Sequence, residues 1–236
     1  MSKWKRQRVY THLEKHLLPN SKILEINAGS CIDAVYLCSK GHKVHATDIS
    51  DGFQVHAERK IQVLSLQDKL TYEQISFTEL SELSETGFDH VFSNFAGLNC
   101  IEDIESVLDQ FEKLLNPKGK ITLVILPKIA PWEWLRIRYG FYEGFRRFKK
   151  NGVEANVNGS SVKTFYHPAS KIQKILTSNY NKVQLENLGF FMPSVDSFSL
   201  KRPKSFQLFA KADVKFQKLM PKGVGDYYIL TMQLKA

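Results

Sequence analysis

The chain has 236 residues, 43% hydrophobic and 24% charged, a balance that supports one sizeable α/β domain and excludes a disordered, collagenous or disulfide-scaffold protein. Lysine and arginine outnumber the acids by 33 to 24, and the resulting net charge of +9 permits an anionic partner without naming one. Three cysteines, Cys31, Cys38 and Cys100, are too few for a secreted framework and none stands in a CxxC or CxxH spacing, which predicts a reducing, cytoplasmic setting.

The opening MSKWKRQRVY lacks the apolar stretch of a signal peptide, and no apolar run reaches the ~18 residues of a membrane span. Over 4–17, Val9, Leu13 and Leu17 recur every four residues between Lys5, Arg6, Arg8 and Lys15, predicting an amphipathic helix stopped by Pro19 and Asn20. Short β-favouring segments follow at 22–26, 42–48, 69–76, 88–95 and 119–126, mostly separated by helical patterns. That alternation predicts a parallel sheet with right-handed crossovers. Two crossover helices are legible, one from Ile32 to Lys40 stopped by Gly41, the other a single helix from Glu102 to Leu115 ended by Asn116, Pro117 and Gly119. Both read as packing helices.

From 127 to 168 the pattern changes to an aromatic, basic stretch and then two alternating runs around Asn158 and Gly159, which predicts an inserted helix and hairpin. A helix near 169–178, a strand near 182–190, a helix near 204–218 and a strand over 226–235 complete the reading of residues 1–236 as a single domain.

The chemistry is densest in LEINAGSCIDAVYLCSKGHKVHATDIS, residues 24–50. A strand runs into the small or turn-forming residues Asn27, Ala28, Gly29 and Ser30 and then into a helix, so backbone can approach a ligand closely and helix amides can face it. Asp48 ends the next strand, where a carboxylate can accept both hydroxyls of an adenosine ribose. A dinucleotide fingerprint would need glycine at Asn27, Gly29 and Ile32, and only the second is glycine. Glu25, inside the strand, suits a ligand carrying an ammonium group, as S-adenosylmethionine does.

Taken together, E-x-N-A-G-S-C, HATDIS, FDHVFSNFAGLN and LLNPKGKITLVIL resemble, in order, four motifs of the class I S-adenosylmethionine-dependent methyltransferases. The resemblance covers 22–126 and departs from the usual ExGxGxG at Asn27 and Cys31. It implies a Rossmann-like, seven-stranded, mostly parallel sheet with an antiparallel last strand and helices on both faces, the helix-plus-hairpin insertion following the fifth strand. It also implies roles: Glu25 orienting the methionine amine, Asn27 to Cys31 supplying the loop with the Cys31 side chain near the methionine moiety, and Asp48 holding ribose. Ile49 would pack on adenine, Ser76 would stand near the adenine amine, and Asn94 and Phe95 would border the reactive methyl group.

The expected reaction is methyl transfer to a small-molecule acceptor, anionic, aromatic or carrier-bound. A catalytically inactive cofactor-binding or scaffold protein of the same fold is the alternative. Glu133, Tyr166 and His167 are candidate bases by region alone. The missing prolines in SNFAGLN argue against an amino-methylating nucleic-acid enzyme. The stretch 132–150 is either a surface helix or a lid, with Trp132, Leu135, Tyr139 and Tyr142 among Arg136, Arg138, Arg146, Arg147, Lys149 and Lys150, and with Gly140 and Gly144 for flexibility. His12 and His16 share a helix face without a third ligand, so no metal site is expected.

Overall fold

The structure, a computed structural model, describes residues 3–134, 137–138, 141–157, 160–192 and 203–235. Its frame is a seven-stranded sheet in the order β3-β2-β1-β4-β5-β9-β8, built from β1 (Lys22–Ile26), β2 (Lys43–Asp48), β3 (Leu70–Gln74), β4 (Phe88–Ser93), β5 (Leu115–Ile125), β8 (Tyr180–Leu188) and β9 (Tyr227–Leu234). The first five pair in parallel, whereas β9 is antiparallel to both β5 and β8, as the family resemblance implies. The inserted hairpin is present as β6 (Val153–Val157) and β7 (Ser160–Thr164), although its expected turn residues Asn158 and Gly159 lie outside the described residues.

Central strands are buried on both sides and therefore read as near-continuous apolar runs. Side chains alternate between two cores. One face carries Leu24, Ile26, Val91, Ile121 and Leu123 against α4 (Glu105–Leu108), α5 (Phe111–Leu114) and α8 (Ala169–Leu176). The other carries Ile23, Phe92, Val124 and Ile229 against α1 (Lys3–Leu13), α2 (Ile32–Ser39) and Ala57 of α3 (Asp51–Val63).

Three expectations need correction. The helix expected over 102–115 is broken into α4 and α5, because the ladder shortens at Gln110, whose amide bonds back to the Val107 carbonyl three residues earlier. The Gln110 side chain ties that break to the Thr78 and Ser106 carbonyls. The fifth strand starts at Leu115 rather than 119, with a shift of register between Phe88 and His90 on β4. Within 132–150, read as either a surface helix or a lid, the described residues form no single helix but α6 (Pro131–Trp134), α7 (Phe141–Gly144) and a 3₁₀ turn at Arg146–Phe148.

A buried polar chain crosses the sheet beneath α1. His90 Nε2 meets Thr122 Oγ1 at 2.8 Å, Thr122 meets Thr231 Oγ1 at 2.8 Å, and Thr231 meets His12 Nε2 at 2.9 Å. His12 Nδ1 then reaches Glu186 Oε2 at 2.9 Å, and Arg8 closes on the same carboxylate. His12 and His16 are thus structural, and among the described residues no cluster of His, Cys, Asp or Glu could hold a metal ion.

Candidate active site

Strand order reverses between β1 and β4, whose crossovers leave to opposite sides, so the carboxyl ends of these two strands open a crevice where ligands bind in such sheets. Residues 27–31 form one wall. Asn27, Gly29 and Cys31 all have left-handed backbone, at φ +58°, +51° and +55°. Glycine adopts that region freely and asparagine at less cost than most residues. The winding is pinned by the Ala28 amide on the Thr47 carbonyl and the Cys31 amide on the Ala28 carbonyl, each at 2.9 Å.

The Asn27 side chain reaches across the crevice floor, its Nδ2 donating to Ser93 Oγ at 3.0 Å. A Cβ built on Gly97 would stand 2.4 Å from Asn27 Cγ, so the bulk gained at position 27 is accommodated by a residue without a side chain opposite. Cys31 corrects an expectation: its side chain is fully buried in the core behind the loop, where burial first, then the Glu25 charge, pushes the thiol up to about 12.

Asp48 closes the far end. Its Oδ2 accepts the Gly29 amide at 2.9 Å and its Oδ1 the Ser50 amide at 3.1 Å. A carboxylate oxygen carries two lone pairs, so each retains one for a ribose hydroxyl. Ile49 beside it is 66% exposed, an apolar surface with no protein packed over most of it. Ser76, just past β3, is half-buried and its hydroxyl is shared with Thr78 at 2.7 Å.

Acid groups gather under the near end. Glu25 is buried in β1, and its Oε2 has no hydrogen-bond partner in the structure. Burial first, then the neighbouring Asp33 carboxylate, holds its pKa well above the usual carboxylate range. Asp33, in the first turn of α2, is a hub: it accepts from Tyr10 Oη at 2.6 Å, from Asn94 Nδ2 at 2.8 Å and from the Arg6 guanidinium. Asn94 is thereby tied to α2 from the end of β4, and the Phe95 ring next to it lies 5.0 Å from Arg6 and 5.6 Å from the Tyr227 ring. Sequence reading missed Asp33, Arg6 and Tyr10. Their signal, an acid one turn into the loop helix and a basic-aromatic α1, is ordinary on helix surfaces.

The three candidate bases are each held in structural contacts. His167 is buried with Nε2 on the Ile101 carbonyl at 2.9 Å, and burial lowers its pKa to about 4. Glu133 is paired with Arg146 and Arg147, and Tyr166 lies beneath the Arg147 guanidinium. Within the inserted segment Leu135, Arg136, Tyr139 and Gly140 lie outside the described residues. Gly144 is a close-packing point rather than a hinge, since a Cβ there would fall 2.3 Å from Ile137 Cγ1.

Glu25, Asp33 and Asp48 lie near one another, with Asp33 paired to Arg6, and the unpartnered Glu25 Oε2 fits a ligand ammonium, whose charge would favour ionisation of that buried acid. S-adenosylmethionine, with its ammonium, sulfonium and ribose diol, matches that donor and acceptor set.

Comparison with known proteins agrees. Residues 23–119 match the family model of a methyltransferase domain. The S-adenosyl-L-methionine-dependent Diels-Alderase iccD of Talaromyces variabilis is 30% identical over 105 residues, covering 44% of this chain but only 36% of that curated relative. A Listeria monocytogenes structure assigned to the S-adenosylmethionine-dependent methyltransferases superposes with a TM-score of 0.66 at 14% identity, over 100% of both chains. The Burkholderia thailandensis 1,6-didemethyltoxoflavin-N1-methyltransferase, solved with 1,6-didemethyltoxoflavin and S-adenosylhomocysteine, gives 0.58 at 15% identity over 99% of this chain and 78% of that one. The chain thus has the fold of the class I S-adenosylmethionine-dependent methyltransferases. Over 23–119 it is similar to a methyltransferase domain, and the chain spans about a third of the length of the curated relative it matches.

Proposed function

We propose that the protein transfers a methyl group from S-adenosylmethionine to a small-molecule acceptor. The observation that carries this reading is the pairing, across one strand-order reversal, of the Gly29–Asp48 contact with the Glu25, Asp33 and Asn94 cluster. Asp48 holds the ribose diol, Ile49 covers one adenine face, and Ser76 stands toward the adenine amine. Residues 27–31 present backbone to the methionine moiety, and Glu25 takes its ammonium. Asn94, fixed by Asp33 and by its own bond to the Phe95 amide at 2.9 Å, sets the wall where the acceptor enters.

Bound S-adenosylmethionine supplies an activated methyl on a sulfonium centre. Transfer neutralises that charge, so the protein's part is to align the acceptor and exclude water. Phe95, flanked by Arg6 and Tyr227, supplies an apolar wall for both tasks. With Glu133, Tyr166 and His167 engaged elsewhere, the acceptor that fits best is one that attacks without a dedicated protein base, such as an amine or a carboxylate.

The likeness to a Diels-Alderase favours a second reading, in which the same bound cofactor shapes a cavity for ring closure and keeps its methyl group. Incubation with methyl-labelled S-adenosylmethionine and panels of amine, carboxylate, phenol and polyene substrates separates the two. Label in a product supports the first reading. Ring closure with the label retained on the cofactor supports the second, and failure to bind the cofactor overturns both.

A further inference from the structure

We propose that Phe141, Tyr142, Phe145 and Phe148 form a docking ridge for an anionic lipid bilayer. Phe141 and Tyr142 are 66% and 79% exposed, and Phe145 and Phe148 are 37% and 45% exposed. The rings touch in series, with centroids 6.1 Å apart for Phe141 and Tyr142, 4.9 Å for Phe141 and Phe145, and 6.2 Å for Phe145 and Phe148. Exposed Lys149 and Lys150 follow directly. A contiguous aromatic patch of this size on a water-facing surface marks an interaction site.

The ridge stands on a fixed base. Arg147 is buried and bonds the Pro127 carbonyl at 3.2 Å and Asp226 Oδ1 at 3.1 Å, while Asp226 also takes Lys5 at 2.5 Å. Glu133 receives Arg146 at 2.9 Å. These partners hold the segment from below, and the ridge cannot fold inward without breaking buried ion pairs.

Charge complementarity selects the occupant. A second copy would bring the same lysines face to face, which repels. An anionic headgroup layer turns both into attraction, and aromatic side chains settle at the level of the headgroups. The rings lean on one another at 41° to 84° and do not present separate parallel faces, which disfavours stacking on unpaired bases.

Sedimentation of the full chain with phosphatidylcholine vesicles, with or without phosphatidylglycerol, tests this. Binding is expected only to the anionic vesicles and weakens with added salt. Lys149→Glu with Lys150→Glu should weaken it at least about 25-fold, near fivefold for each lysine lost. Phe141→Ser with Tyr142→Ser should weaken it about tenfold or more at unchanged melting temperature. Equal binding to neutral vesicles, no binding, or full binding by either variant overturns the proposal. So does a dimer that the Phe141→Ser, Tyr142→Ser variant dissociates, or retention on single-stranded RNA in preference to the vesicles.

Discussion

At Asp48 the two carboxylate oxygens already accept the Gly29 and Ser50 amides, so the side chain shapes the loop as well as offering lone pairs to a ligand. Asp48→Ala is expected to weaken S-adenosylhomocysteine binding by about 1–3 kcal/mol, the cost of unpaired polar groups in a desolvated site. Calorimetric titration measures this, and unchanged affinity would remove Asp48 from the site. Glu25 makes a prediction of opposite sign for stability and binding. Its pKa is raised in the fold, so its favourable contribution is complete below the ordinary glutamate range and is lost as pH rises through the raised value. Glu25→Gln should therefore raise the melting temperature at neutral pH while weakening cofactor binding; a lower melting temperature with full affinity would contradict both halves. Asp48 was legible in the sequence because it ends a strand at a fixed distance from Gly29. Asp33 and Arg6 were not, because their meeting depends on how α1 packs over α2, which no local pattern encodes.

At the scale of elements, the β1 and β4 loops are matched to each other. Gly97→Ala should displace Asn27, lowering both melting temperature and cofactor affinity, and the double variant with Asn27→Gly should recover much of each. Independent, additive losses in a double-mutant cycle would show that the two loops are not coupled. The sequence pattern located the central β1 and β4 well because each is a short, mostly apolar run next to turn residues, whereas it began β5 four residues late and overran the helices of 102–115 and 132–150. There apolar periodicity continues through the breaks. The first break is set by side-chain bonds of Gln110 to a neighbouring turn, and in the second Gly144 packs closely against Ile137, both tertiary facts.

Across the whole molecule, buried neutral histidines tie stability to pH. Burial lowers His90 to about 3 and His167 to about 4, so the folded chain binds fewer protons than the unfolded one below their ordinary value of 6.5. Their contribution is present above that value and lost as pH falls toward the depressed values. The urea midpoint should accordingly fall steadily from pH 7 to pH 4, and a midpoint constant over that range would contradict the neutral, buried assignment.

The binding predictions presuppose that the crevice between the ends of β1 and β4 accepts an adenosyl amino acid. Titration of the wild-type chain with S-adenosylhomocysteine in a calorimeter tests that most directly. The account predicts saturable binding at one site per chain, weakened in Asp48→Ala and in Glu25→Gln. No heat at high ligand concentration, or binding that neither substitution alters, would contradict it.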